Sequence, residues 1–227
     1  MPRLLKFAAI LGLLVFLLTS WVIFRMTAGS SGARAEWPDS GDPSAADLPA
    51  EAVLSVPEFT LTDHRGNAFT RDNLRGRITI VNFVFTNCPF VCPTLMEKMV
   101  GLSIALKNEP VHFVSISVDP AHDTPQALAE FAKLHEADKD NWSLLTGEKA
   151  EIDRIITGGL KFALTDDVAN PIKLPDGSTM NNIFHPSWFV LLGPEVDVKS
   201  LYRPDDQVNM QVLLNDVRRL AKELPRP

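Results

Sequence analysis

From residue 56 onward two hydrophobic periods take turns along this chain: alternation, as in a strand, and recurrence at three- and four-residue spacing, as in a helix. Residues 56–62 (VPEFTLT) alternate, and Asp63-His64-Arg65-Gly66-Asn67 is turn chemistry, so 68–70 are predicted to return as a hairpin. Residues 78–85 (ITIVNFVF) are almost unbroken apolar, the pattern of a strand covered on both faces. Helical spacing follows at Leu95, Met96, Met99, Leu102, Ile104 and Leu106, to about Lys107. Residues 111–118 (VHFVSISV) read as a second buried strand ending at Asp119-Pro120. Asp123-Thr124-Pro125 then offers a capping residue followed by proline in the first turn, opening a helix through Leu128, Phe131 and Leu134. A short strand (142–145), a short helix (148–156) ending near Gly158-Gly159, and a hairpin-like excursion (161–180) about Pro175-Asp176-Gly177 come next. Two last strands (187–192 and 198–202) around Gly193-Pro194 and a closing helix (207–223) complete the pattern. No internal repeat is visible. Strands alternating with helices imply one α/β domain with a mixed sheet, over residues 53–227.

The first 52 residues behave differently. Residues 7–24 form an 18-residue stretch without charge, preceded by Arg3 and Lys6 and followed by Arg25. That is enough for one transmembrane helix within residues 1–25, and the positive charge ahead of it keeps the N-terminus in the cytoplasm and sends the rest across. Ala33-Arg34-Ala35 offers the rival reading, a cleaved signal peptide, but the apolar run is longer than such peptides use. Residues 26–52 are rich in Gly, Ser, Ala, Pro and Asp and read as a flexible tether, with a reach of roughly 25–30 Å. The start lacks transit-peptide character, so the expected location is a bacterial inner membrane with the main domain in the periplasm, where disulfides persist.

Charge narrows the partners. The first 35 residues carry four basic and no acidic side chains, leaving 18 basic against 28 acidic in the remainder, a net of −10. An acidic domain without a basic stripe excludes nucleic acid and docking on anionic lipid.

The chemistry concentrates between the central strand and the helix after it, where the chain's two cysteines stand four apart in Cys88-Pro89-Phe90-Val91-Cys92-Pro93. A helix N-terminus favours thiolate over thiol, and thiolate both binds soft metals and attacks disulfides. Four residues along a helix would put both sulfurs on one face, within reach of one ion. As a disulfide staple the pair is poor: the loop is short, and the bond would be strained and easily reduced. Asp119 and Asp123 form a DxxxD pair at a strand end. One reading is strand termination and helix capping; the other is an acidic partner-recognition surface on the rim of the cysteines. Met96 and Met99 read as core, and His64, His112 and His135 have no context favouring ligation.

Four motifs in order extend the picture: Cys-Pro-Phe-Val-Cys-Pro at 88–93, Ser-Val-Asp-Pro-x-x-Asp-Thr-Pro at 117–125, Trp-x-x-Leu-Thr-Gly at 142–147, and the late His185. Together they resemble the Sco/SenC family over about residues 53–224. The resemblance implies a thioredoxin-like fold with an N-terminal hairpin and an inserted hairpin. It implies one copper ion per chain, bound by Cys88, Cys92 and His185, and a part in assembling the dinuclear copper centre of cytochrome c oxidase subunit II. A periplasmic copper donor or thiol reductant is a further implied partner, and Asp119 and Asp123 are implied as partner-binding. A thiol–disulfide reductase, with Cys88 as nucleophile and Cys92 resolving, is the alternative function. Two positions depart from the family pattern: Pro186 follows His185, where a cis-proline opposite the cysteines is one role open to it, and Phe162 stands where many relatives have Tyr.

Overall fold

The computed structural model describes residues 54–174 and 176–224. The anchor expected over 1–25 and the tether expected over 26–52 lie outside these residues. Among the described ones, no helix is long and apolar enough to cross a membrane.

The two longest apolar runs become neighbours at the centre. Strands β3 (Ile78–Val84) and β4 (Val111–Ser117) pair in parallel, Ile78 opposite Val111 and Val84 opposite Ser117. Every residue of both is buried, which is why neither shows alternation. Strand β5 (Trp142–Thr146) runs parallel to β4 on its far side, and β1 (Thr60–Asp63) and β2 (Ala68–Thr70) close that edge as an antiparallel hairpin. On the other side β8 (Phe189–Leu192) is antiparallel to β3, and β9 (Val198–Tyr202) is antiparallel to β8. The mixed sheet therefore runs β2-β1-β5-β4-β3-β8-β9, a thioredoxin-like arrangement with the expected N-terminal hairpin.

Four helices cover or close this sheet: α1 (Cys92–Ala105), α2 (Pro125–Leu134), α3 (Lys149–Asp153) and α4 (Gln207–Glu223). Alternation along β3 sends Asn82 to one face and Phe83 to the other. Asn82 Oδ1 accepts from Ser115 Oγ at 2.6 Å, Ser115 Oγ accepts from Trp142 Nε1 at 3.0 Å, and Asn82 Nδ2 faces Met96 Sδ of α1 at 4.0 Å. All four side chains are fully buried, so this chain of polar contacts fixes α1 across three strands at little desolvation cost. Met96 and Met99 are core, as expected. On the opposite face Phe83 meets Phe162 edge to face, ring centroids 6.0 Å apart. Phe162 is thus a buried core residue.

Three boundaries differ from expectation. The first strand begins at Thr60 because residues 55–59 are occupied elsewhere: Ser55 N donates to Gly159 O at 3.1 Å and Ser55 bridges Asp197. A Cβ at 159 would sit 2.4 Å from the Ser55 carbonyl oxygen, so glycine permits this approach. The short helix after β5 gives way after Asp153 to a π-helical turn, Arg154–Gly159. The excursion expected over 161–180 lies four residues later: β6 (Thr165–Lys173) and β7 (Thr179–Phe184) form a separate two-stranded hairpin. Its register slips between Asp167 and Ile172, around Asn170-Pro171, where proline has no N–H to give to the ladder.

Candidate metal centre

Strand β3 delivers the chain to the rim of the sheet, and residues 86–91 turn there before α1 starts. The helix begins at Cys92 itself, with Val91 as its cap and Pro93 in the first turn. Cys88 therefore lies in the turn and not on the helix, which corrects the expectation of two sulfurs on one helical face. The turn brings them together instead, with Cys88 N donating to Phe85 O at 3.2 Å. Both thiols are free.

His185 comes from the other side. It is the first residue after β7, so the inserted hairpin ends where the imidazole is needed, and Pro186 and Trp188 lead on into β8. Its Nε2 lies 3.5 Å from Cys92 Sγ, and its Nδ1 lies 3.2 Å from the Pro186 carbonyl oxygen. A carbonyl only accepts, so Nδ1 carries a proton, and Nε2 is the atom that faces the sulfurs. The buried Phe85 ring holds the imidazole edge to face at 5.6 Å. Every peptide bond among the described residues is trans, so Pro186 does not take the cis role open to it in the sequence.

The donor atoms of Cys88, Cys92 and His185 all lie within 4.8 Å of one another, and they form the one such group of metal-capable side chains among the described residues. With bonds of about 2.3 Å to sulfur and about 2.0 Å to nitrogen, as for zinc, three donors in a plane around one ion stand about 4 Å apart. The geometry fits an ion with sub-ångström adjustment. Two thiolates and one imidazole are a soft set; with no fourth donor in the group, it suits Cu(I) better than four-coordinate Zn(II).

The sulfurs are unequal. Cys88 is 8% exposed and Cys92 0%. The hydrogen bond from Cys92 lowers Cys88 to about 4; burial opposes this and the contact with His185 adds to it. Burial first, then the neighbouring Cys88, pushes Cys92 well above the usual thiol range. One proton shared between two sulfurs sits on the inner one.

The acidic pair is placed otherwise than as an exposed rim. Asp123 is fully buried; its carboxylate accepts from Thr86 N at 3.1 Å, from Thr86 Oγ1 and from Ser117 Oγ. Burial raises its pKa while these three donors oppose the rise. Asp123 thereby ties the start of the cysteine turn to the end of β4. The helix cap falls to Thr124, whose Oγ1 accepts from Ala127 N at 3.2 Å. Asp119 is also buried and accepts from His122 Nδ1 at 2.8 Å. An acidic docking surface is thus corrected at Asp123, because three inward-facing donors offer its charge more than solvent does. Thr86 and Ser117, the partners in this clamp, carry no signal in the sequence beyond lying next to it. Two large apolar side chains stand exposed near the sulfurs: Phe90, between the cysteines, is 51% exposed, and Phe184, beside His185, is 57% exposed.

The sequence model of the SCO1/SenC family matches residues 49–222, and the chain belongs to that family. The SCO1 protein homolog of Bacillus subtilis is 32% identical over 166 residues, covering 72% of this chain and 81% of that protein. Among solved structures, BsSco, a member of the Sco family of cytochrome c oxidase assembly proteins in which a disulfide switch is identified, is 29% identical. It superposes with a TM-score of 0.62 over 75% of this chain and 95% of its own. ScoI of Bradyrhizobium japonicum, solved with copper bound, shares the fold at 24% identity and a TM-score of 0.59, over 74% of this chain and 99% of its own.

Proposed function

We propose that this protein is a copper-binding assembly factor for cytochrome c oxidase, holding one copper ion per chain through Cys88, Cys92 and His185. The observation that carries the reading is the meeting, within 4.8 Å, of two thiols and an imidazole separated by 93 residues of chain. Family membership and the place of BsSco among cytochrome c oxidase assembly proteins support the system in which it acts. The finer reading is delivery of copper to the dinuclear centre of subunit II, from a periplasmic domain tethered by residues 26–52 to an inner-membrane anchor at 1–25. Copper is the cargo here. A three-donor site leaves a position open, so an incoming client thiolate enters before a donor of this chain lets go. The ion then keeps at least three donors at every step.

The test is copper binding by the full-length chain, reduced and anaerobic in mild detergent, with stoichiometry and X-ray absorption on wild type, His185→Ala and Cys88→Ser/Cys92→Ser. One copper with two sulfurs and one nitrogen, lost in the double variant, is the expected result. A wild type that retains no copper sinks the reading.

The unequal sulfurs favour a second function on the same residues, thiol–disulfide reduction. The Cys88 thiolate attacks a client disulfide and releases one client thiolate. Cys92, giving up its proton, then displaces the other, leaving the client dithiol and an oxidised Cys88–Cys92 pair for a periplasmic thiol reductant to reset. Turnover of an oxidised client peptide by the copper-free protein checks this.

A further inference from the structure

The cysteine turn and the inserted hairpin do not close on each other. A cleft of about 480 Å³ lies between them, with Cys88, Pro89 and Phe90 on one wall and Pro171, Ile172 and Lys173 on the other. We propose that this cleft is a docking groove for an extended segment of a client protein, one that carries a cysteine flanked by an apolar and an acidic residue. The inference rests on the reading of Cys88 as the sulfur that exchanges with the client.

Four observations select that occupant. Cys88 is the more exposed of the two sulfurs and opens onto the cleft, so a segment lying in it is held against the exchanging atom. Residues 171–174 all line the space, although successive side chains of a strand point to opposite faces. A cleft touched by the last three residues of β6 and by Leu174 after them therefore runs along the end of that strand. Among the described residues β6 pairs with β7 alone, which leaves its other edge to bind another extended chain through main-chain hydrogen bonds. Beside the polar Thr86 and Asn87, each wall carries a large apolar side chain: Phe90, which is half-exposed, and Ile172, the buried residue of its strand. An apolar client side chain is covered there. Lys173 is the charged side chain on the cleft, is exposed, and has no ion-pair partner among the described residues. It is an isolated cation in an acidic domain, and at physiological salt the domain's distant charges are screened beyond about 8 Å. Lys173 therefore selects an acidic residue in the bound segment.

The test is copper-free. Short peptides carry one cysteine as its mixed disulfide with thionitrobenzoate, an apolar residue on one side and glutamate on the other. The Cys88 thiolate of the full-length Cys92→Ser chain attacks the peptide sulfur, a Cys88–peptide disulfide forms, and the coloured aryl thiolate leaves with the electron pair. The first turnover of the reduced wild type gives the same readout where the variant folds poorly. The expected result is a rate that saturates with peptide concentration and is at least tenfold faster for the glutamate peptide than for one with lysine in its place. Lys173→Glu reverses that preference, and Phe90→Ser slows both peptides. Rates that stay linear in concentration, or are equal for the two peptides, or are unmoved by Lys173→Glu, overturn the proposal. A rate that falls as the protein is concentrated, with a dimer seen by sedimentation, assigns the cleft to a second copy and overturns it as well. A chain that binds no copper removes the chaperone reading and leaves this result standing.

Discussion

The two sulfurs and the imidazole are held by very different parts of the molecule. The cysteine turn grows from β3, whose seven residues are all buried, and it is tied down by the inward-facing Asp123. His185 stands at the foot of a hairpin whose two strands bury a single residue, Ile172, between them. Each buried aliphatic or aromatic side chain of the sheet contributes about 1.5–3 kcal/mol, and the hairpin has almost none of these. The sulfurs are therefore the fixed part of the site and the imidazole its adjustable part. Under the proposed function, a site that both holds an ion and gives it up gains from that division, since one donor can move without disturbing the fold.

The comparison can be broken most directly by hydrogen exchange. Amides of β3, β4 and β5 are expected to exchange at least about a thousandfold more slowly than those of β6 and β7. Equal protection in the two regions removes the distinction. Asp123→Ala leaves three inward-facing donors unpaired, the buried Ser117 hydroxyl and two groups of the half-buried Thr86, and is expected to cost about 3 kcal/mol, read from urea unfolding of the reduced chain. A loss under about 1 kcal/mol means that Thr86 and Ser117 are satisfied without it. His185→Ala removes a donor but little packing. Copper affinity should fall by at least about 100-fold, since disturbing a partner of a ligand alone costs 10- to 100-fold, while the unfolding midpoint stays nearly unchanged.

Within the cysteine turn the contrast is between the sulfurs. With Cys88 lowered to about 4, its alkylation should hold steady from pH 9 to about pH 5 and drop about tenfold per unit below 4. Between about 4 and the ordinary thiol value of 9.0 the native state binds fewer protons at Cys88 than the unfolded chain does. Its contribution to stability is therefore complete above that ordinary value and is lost as pH falls toward about 4. An alkylation midpoint near 8 to 9 contradicts this. The smallest effect belongs to the hairpin: Asp167→Ala, which removes exposed contacts to Ala169 N and Asn170 Nδ2, should change stability by less than about 0.5 kcal/mol.

Elements buried on both faces are legible because burial writes itself as an unbroken apolar run, as in 78–85 and 111–118. The start of β1 and the π-helical turn at Arg154–Gly159 are not, because both depend on the segment at Ser55 meeting Gly159 about a hundred residues away. Asp123 misleads for a related reason. Its neighbours in sequence point to a cap, whereas its partners are a threonine 37 residues earlier and a serine on the strand before it.

The sequence alone determined the strand and helix order, the two-cysteine turn at the end of the central strand, the family, and the three residues, Cys88, Cys92 and His185, whose donor atoms the structure brings together. These follow from local periodicity, from the chemistry of residue types and from an ordered set of motifs. Only the tertiary structure decided that Cys88 precedes the helix, that Asp123 faces inward, that His185 presents Nε2, and that a cleft opens beside Cys88. Each of these depends on which distant segments the packed sheet brings together, and no local pattern specifies that.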